Sequence, residues 1–189
     1  MVKKILFIFC VNLALCNFAF TTQQDERNQF DIVMNLCTSL EPNTGFIAGK
    51  ALLKRWEKAG IDRSNINFLK EMMILCLIKD HLLKEEVYKI SEEVIDFSTD
   101  SLSLGCAWLQ KAEFAFSLRQ YEKALSHASV AQKYFKVLQE TIDSNEFKWW
   151  EKFLLHLHAI RGAAFEAIGN NAESEKEKES FEILLKKLS

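Results

Sequence analysis

The side chains of this 189-residue chain that could do chemistry are its histidines, cysteines and carboxylates. None of the four histidines belongs to an HExxH motif, the pattern that holds catalytic zinc on a helix. His156 and His158 are two residues apart on a predicted helix, so they point about 200° apart and cannot share a metal ion. The sequence also contains no GxSxG, P-loop or GxGxxG motif. These patterns predict neither an enzyme nor a metal or cofactor site.

The five cysteines show no CxxC spacing, so a redox or zinc motif has no support. Cys37, Cys76 and Cys106 lie within apolar runs, where a cysteine behaves as a small hydrophobic residue. Because these three are an odd number, at least one of them has no disulfide partner within the group. Cys10 and Cys16 belong to an N-terminal apolar segment.

Charge and composition narrow the class of protein. Lysine and arginine total 24 against 26 aspartate and glutamate residues, and no basic run is present, so we expect no nucleic-acid partner. A hydrophobic content of 49% can fill a core and excludes disorder for most of the chain. One proline and six glycines fit a turn-rich β-sandwich or barrel poorly. The length suits one domain.

The N-terminus is typical of an export signal. Lys3 and Lys4 precede an apolar run over 5–20, which is short for a membrane span of about 20 residues, and a polar stretch follows. We predict a signal peptide over 1–21 and a single domain over 22–189. Cuts after Cys16 or Ala19 are alternatives.

A second interpretation of this segment involves lipidation. The residues from Leu13 to Cys16 resemble the lipobox of bacterial lipoproteins, although Leu15 stands where that motif has Gly, Ala or Ser. A lipid on Cys16, or an uncleaved signal, would anchor the chain to a membrane. The absence of an Asn-x-Ser/Thr sequon favours a bacterial envelope. The predicted location is therefore the periplasm or the exterior, with a membrane-anchored lipoprotein as the alternative.

Apolar residues from Glu26 onward repeat with a period near 3.6, most clearly over 121–138, which predicts helices. We predict eight helices: 26–40, 46–59, 64–81, 84–97, 102–118, a sixth from Tyr121, a seventh opening at Asp143, and 172–187. The segment 41–45, which contains Pro42, is predicted to be the turn that separates the first two. Gly60 is expected to end the second helix, and Asp100 or Ser101 to cap the fifth. Arg119 and Gln120 are expected to form a tight corner.

The last helix begins with a run of charged residues. Glu173 with Lys176, and Glu175 with Lys178, have the i,i+3 spacing of helical ion pairs. We predict a solvated outer face on a terminal capping helix.

One segment, 105–135, carries the most specific pattern. Its large and small residues are Trp108, Ala112, Tyr121, Ala124, Ala128 and Ala131. This pattern resembles a tetratricopeptide repeat (TPR), a helical hairpin of about 34 residues. A weaker copy over 158–184 carries Gly162, Phe165 and Gly169, but has Ser174 and Phe181 where alanine is usual.

The resemblance implies an all-α fold of antiparallel helical hairpins, stacked as an irregular TPR-like right-handed superhelix of about eight helices. In that family the first helices of the repeats line a groove that binds another polypeptide. The matching positions are Cys106, Leu109, Glu113 and Phe116 in the first copy, and His156, Ala159, Ala163 and Glu166 in the second. These side chains do not match a carboxylate clamp and favour an amphipathic helix or an extended segment. The alternative is that they pack against neighbouring helices of the same chain.

Trp149 lies at the edge of a predicted core face that contains Trp150, Phe153 and Leu157. It could anchor a partner or lie at a membrane interface, or it could pack in the core.

The predicted function is an exported helical-repeat scaffold that mediates protein–protein interaction in the cell envelope, without catalysis or a cofactor. The predicted partner-binding residues are Cys106, Leu109, Glu113, Phe116, Trp149, His156 and Glu166. The alternatives are a lipid-anchored subunit of an envelope complex, a helical small-ligand-binding protein and a secreted effector.

Overall fold

The computed structural model describes residues 30–33, 35, 42–75, 81–141 and 151–188, which form helices joined by short turns. The helices are α1 (Pro42–Ala59), α2 (Arg63–Ile74), α3 (His81–Phe97), α4 (Ser101–Ser117), α5 (Tyr121–Thr141), α6 (Glu151–Ala167) and α7 (Asn171–Leu188). Residues 30–33 are also helical, and no strand occurs within the described ranges. The predicted all-α class is confirmed. The predicted signal over 1–21 lies outside these ranges.

The first helices differ from the prediction at their ends. α1 begins at Pro42, so most of the predicted turn over 41–45 is instead the first turn of a helix. Proline suits this position because its φ is fixed near the helical value and the first turn needs no N–H donor from it. α2 ends at Ile74 rather than near 81, and α3 begins at His81.

The predicted helix boundaries at Gly60 and Asp100 are confirmed. Gly60 follows α1 with φ +69°, and the next N–H, of Ile61, donates to the carbonyl of Trp56 at 3.0 Å. This is the bond that closes a Schellman motif. Asp100 caps α4, because its carboxylate accepts the N–H of Ser103 at 2.7 Å.

We call α4 and α5 the first hairpin. Its turn is the predicted corner: Arg119 has φ +60°, and its N–H donates to the carbonyl of Phe116 at 2.9 Å. The N–H of Gln120 donates to the carbonyl of Ala115 at 3.0 Å. This turn is again a Schellman motif, with a non-glycine residue in the left-handed position.

We call α6 and α7 the second hairpin, and its turn repeats the first. Gly169 has φ +79° and donates to the carbonyl of Glu166 at 3.0 Å. Asn170 donates to the carbonyl of Phe165 at 2.9 Å. Each residue stands fifty positions after its counterpart in the first hairpin.

Consecutive helices pack against each other, and α4 lies at the centre, where α2, α3, α5 and α6 all contact it. The two hairpins meet through Phe135 of α5 and Phe153 of α6, whose stacked rings have centroids 6.4 Å apart. Gly105 leaves room for this contact, because a Cβ there would lie 2.7 Å from the Phe135 ring.

The terminal helix α7 differs from the others in what it buries. Its two buried residues, Ser174 and Glu177, are both polar. Each of α1 to α6 contributes apolar side chains to the described core. The predicted ion pairs on the outer face are confirmed, at 2.5 Å for Glu173 with Lys176 and 3.0 Å for Glu175 with Lys178.

Candidate functional site

Two of the predicted partner-binding residues lie inside the core. Cys106 and Leu109 are each 1% exposed, because the helices around α4 cover the face that carries them. Burial also raises the pKa of the Cys106 thiol well above its usual value, which makes it unreactive. Both side chains pack within their own chain, which was the alternative interpretation. A partner cannot contact them in this fold, and we remove them from the predicted surface.

Two further predicted residues meet where α6 packs on α4. His156 Nε2 of α6 lies 2.9 Å from Glu113 Oε2 of α4, although the two are 43 positions apart. Lys84 Nζ of α3 lies 2.7 Å from the other carboxylate oxygen. This group, the Glu113 cluster, ties three helices together. No local sequence signal pointed to Lys84.

The Glu113 cluster holds its carboxylate in the ionised form. Burial, the largest single influence, acts to raise the pKa of Glu113. The hydrogen bonds and charges of His156 and Lys84 together outweigh it, so the pKa lies below its ordinary value. An ionised carboxylate with both oxygens held by its own chain stabilises the fold and is poorly placed to act as a general acid.

The remaining predicted residues lie apart from this cluster. Phe116 is half-buried at the end of α4, with its ring 5.6 Å from the ring of Tyr121. Glu166 is exposed near the end of α6 and lies 3.4 Å from Lys178 Nζ. Trp149 lies outside the described residues. The predicted groove is therefore not one continuous described surface.

A second buried ion cluster joins α6 to α7. Glu177 Oε2 lies 2.7 Å from His158 Nδ1, and Arg161 Nε donates to Glu177 Oε1 at 2.8 Å. Arg161 also hydrogen-bonds Gln132 of α5. We call this the Glu177 cluster. Sequence reasoning missed it, because Glu177 stands in a charged run that predicted a solvated face.

The Glu177 cluster also keeps its carboxylate ionised. Burial acts most strongly and would raise the pKa of Glu177, but the contacts with His158 and Arg161 outweigh it and hold the pKa below its usual range. Beside this cluster, the Ser174 hydroxyl donates to the carbonyl of Gly162 at 3.0 Å. A Cβ at Gly162 would lie 3.5 Å from the Glu177 Cβ, so the two helices approach closely here.

The first hairpin has an aromatic contact at the equivalent place. The rings of Trp108 and His127, fifty positions before His158 and Glu177, have centroids 5.3 Å apart. Lys111 Nζ lies 5.2 Å from the Trp108 ring centroid. Burial, followed by nearby lysine charges, lowers the pKa of His127. The fifty-residue offset between the hairpins is the sequence signal that could have identified His158 and Glu177 as contact partners.

Exposed aliphatic side chains mark the ends of both hairpins. Leu118, just before the turn of the first hairpin, is 52% exposed, and Ile168 at the same place in the second is 42% exposed. Ala159, Ala163 and Glu166 are exposed on α6, which ends at Ala167, one residue before Ile168. We call Leu118 and Ile168 the tip residues.

Within the described ranges, no group of three or more histidine, cysteine, aspartate or glutamate side chains could hold a metal ion. None of the helices in those ranges is both long and apolar enough to cross a membrane.

Comparison with protein-family models, curated proteins and solved structures gives no match to this chain.

Proposed function

We propose that the chain is an exported helical-repeat scaffold that binds another polypeptide in the cell envelope and catalyses no reaction. One observation carries this proposal: a helical hairpin recurs after fifty residues with the same turn hydrogen bonds and the same left-handed turn position. Repeated hairpins present equivalent positions side by side, and such surfaces commonly bind polypeptides. The resemblance of 105–135 to a TPR supports this function, and the predicted signal over 1–21 supports export.

The tip residues are the part of the surface that we assign to the partner. Leu118 and Ile168 occupy the same place in two hairpins, and each exposes a large aliphatic side chain. A single exposed leucine needs no explanation, but a repeated one at a repeated turn favours a shared contact.

Affinity capture from the native envelope fraction tests the proposal. We would compare the wild-type chain with Leu118→Glu/Ile168→Glu, which places a charge on both tip residues. The matched control is Ile47→Glu/Val137→Glu, because these two aliphatic residues are exposed to 55% and 44% and lie away from the hairpin turns. Circular dichroism would verify that all three proteins are folded.

We expect one protein to be retained by the wild type and by the control but lost from the tip variant. Purified, it should bind the wild type and control with equal affinity. Identical captures from all three chains would remove the tip residues from the interface. Empty captures from all three would contradict the scaffold function.

A further inference from the structure

The contact between α7 and α6 is unlike the other helix contacts of the described chain. α7 packs chiefly on α6 and buries fully only Ser174 and Glu177. Hydrophobic burial is the dominant favourable term when helices pack, so α7 is held with less of that term than the other helices. Phe181 and Leu184 contribute only partly buried apolar surface.

The α6 surface under α7 has two recognition features besides the buried Glu151, whose carboxylate lies 2.6 Å from Lys187 Nζ of α7. Over Gly162 only a small residue fits closely, and Ser174 occupies that place with a hydrogen bond to the Gly162 carbonyl. Arg161, next to Gly162, and His158, one helical turn before it, both point a nitrogen at one carboxylate. A helix that presents a small residue and, three positions later, a carboxylate complements both features.

We propose that the face of α6 beneath α7 is a helix-docking site that the chain's own α7 occupies reversibly, and that a partner with an amphipathic helix of the same small-residue and carboxylate spacing can replace α7 there. The occupant is assigned by charge complementarity: Arg161 and His158 of α6 hold a carboxylate, and the buried Glu151 at the start of α6 holds a lysine, Lys187, at 2.6 Å. Gly169 is the residue between the two helices that can change its backbone conformation at low cost. This inference rests on the proposed function in that its ligand is a polypeptide.

Reversible occupancy follows from the chemistry of the contact. Local opening concentrates in elements with few buried apolar contacts, and α7 is such an element. Opening would expose His158, Arg161 and the Gly162 backbone together, so the site appears as a unit. A partner helix must then compete with an intramolecular ligand whose effective concentration is in the millimolar range, roughly.

The test uses a labelled peptide with the sequence of residues 171–188 as the probe, titrated into the full chain. In the variant Glu177→Lys, a lysine faces Arg161 in place of the carboxylate, and the like charges should make α7 dissociate from α6. The α6 face itself is chemically unchanged. The matched control is Glu179→Lys, the same charge change on an exposed residue of α7. Fluorescence anisotropy measures binding to the three chains.

We expect the peptide to bind the Glu177→Lys chain at least about tenfold more tightly than the wild type or the Glu179→Lys chain, because α7 no longer competes. A second peptide carrying Glu177→Gln should bind the Glu177→Lys chain several-fold more weakly, since it lacks the charge. Equal affinity for all three chains, or for both peptides, would overturn the proposal.

A second variant guards against loss of the fold. Circular dichroism of the Glu177→Lys chain should show no more helix lost than α7 contains. If this chain unfolds, Ser174→Leu should unseat α7 by its bulk and give the same gain in peptide affinity, and no gain there overturns the proposal. A wild-type dimer in gel filtration with α7 exchanged would make a second copy the occupant and overturn the separate partner.

The outcomes separate this inference from the proposed function. Peptide binding does not depend on any envelope protein, so tight binding together with an empty capture would contradict only the scaffold function. A captured protein together with no peptide binding would contradict only the docking site.

Discussion

Alanine side chains pack between the two helices of the first hairpin, whereas buried polar groups of α7 join the two helices of the second. In the first, the small buried residues include Ala112, Ala124, Ala128 and Ala131. The second has Gly162, Ser174, Lys178 and Phe181 at the same places fifty residues later. The turns nevertheless match in their hydrogen bonds. The two hairpins share a backbone path and differ in what holds their helices together.

This difference shows that the geometry of a hairpin turn and the stability of the helix contact have different causes. A left-handed residue and two N–H bonds to carbonyls set the turn locally, so Arg119 and Gly169 give the same geometry. Stability depends on the interior, where alanine packing in the first hairpin needs no charge. In the second, Glu177 must stay ionised beside Arg161. The contact between α4 and α5 is therefore independent of charge, whereas the contact between α6 and α7 depends on pH and on charge.

The largest expected effect comes from exchanging equivalent residues between the hairpins. Ala128→Lys places an unpaired charge at a fully buried position and should lower the free energy of unfolding by about 3–5 kcal/mol. Lys178→Ala, at the equivalent and exposed position, should leave it unchanged within error. Chemical denaturation measures both variants. A mild effect of Ala128→Lys would contradict the alanine-packed interior.

Acidification should weaken the second hairpin through the Glu177 cluster. Because its contacts lower the pKa of Glu177 below the ordinary value of 4.5, the ionised form stabilises the fold. That stability is present above the unfolded-state pKa and is lost as pH falls through the folded-state pKa.

Glu177→Gln should cost about 1.5–3 kcal/mol at neutral pH and flatten the acid limb of the stability curve. Denaturation midpoints measured from neutral pH down to below about 4 follow this change. The exposed control Glu179→Gln should keep the wild-type curve. A full acid limb in Glu177→Gln would assign the pH dependence to other carboxylates, with Glu113 first among them.

Two glycine substitutions should have opposite signs. A Cβ at Gly105 would lie 2.7 Å from the buried Phe135 ring, so Gly105→Ala should destabilise the protein by about 1–3 kcal/mol. At Gly162 the nearest atom would be 3.5 Å away, an ordinary contact, so Gly162→Ala should stabilise by about 0.5–1 kcal/mol. Thermal melts of the two variants test whether Gly105→Ala lowers the melting temperature and Gly162→Ala raises it. The same sign in both would mean that the hairpins are packed alike.

The smallest effect concerns the turns. Arg119 holds a left-handed conformation that disfavours a side chain, so Arg119→Gly should stabilise the chain by up to about 1 kcal/mol. Gly169→Ala should destabilise it by a similar amount, for the same reason. Denaturant midpoints of the pair test this. If Arg119→Gly destabilises, contacts of the Arg119 side chain outweigh the backbone cost.

Local patterns predicted much of the fold. The 3.6-residue period over 121–138 predicted the helix α5, and capping chemistry predicted Gly60 and Asp100. The start of α1 was misplaced, because Pro42 was taken as a helix break instead of a first-turn residue. These correct and incorrect predictions all concern features that depend on residues close together in the sequence.

The candidate site was less predictable, because its contacts are long-range. Spacing could place Glu113 and His156 on their helices, but not show that α6 brings them to 2.9 Å. The sequence pattern predicts Leu109 as a groove residue, because it does not show that other helices surround α4. The charged run predicts Glu177 as solvated, because it does not show that Gly162 lets α7 approach α6 closely. Comparing the hairpins residue by residue is what relates these positions.

Native-state hydrogen exchange of the wild-type chain, resolved by helix, tests most directly the claim that α7 is held conditionally. We predict that α7 amides exchange by local opening, about ten times faster or more than the α5 amides, which need global unfolding. The Glu177→Gln variant should raise exchange in α7 alone. Equal protection of α5 and α7 in the wild type would contradict the account, since the polar interior would then hold its helix as firmly as the alanine one.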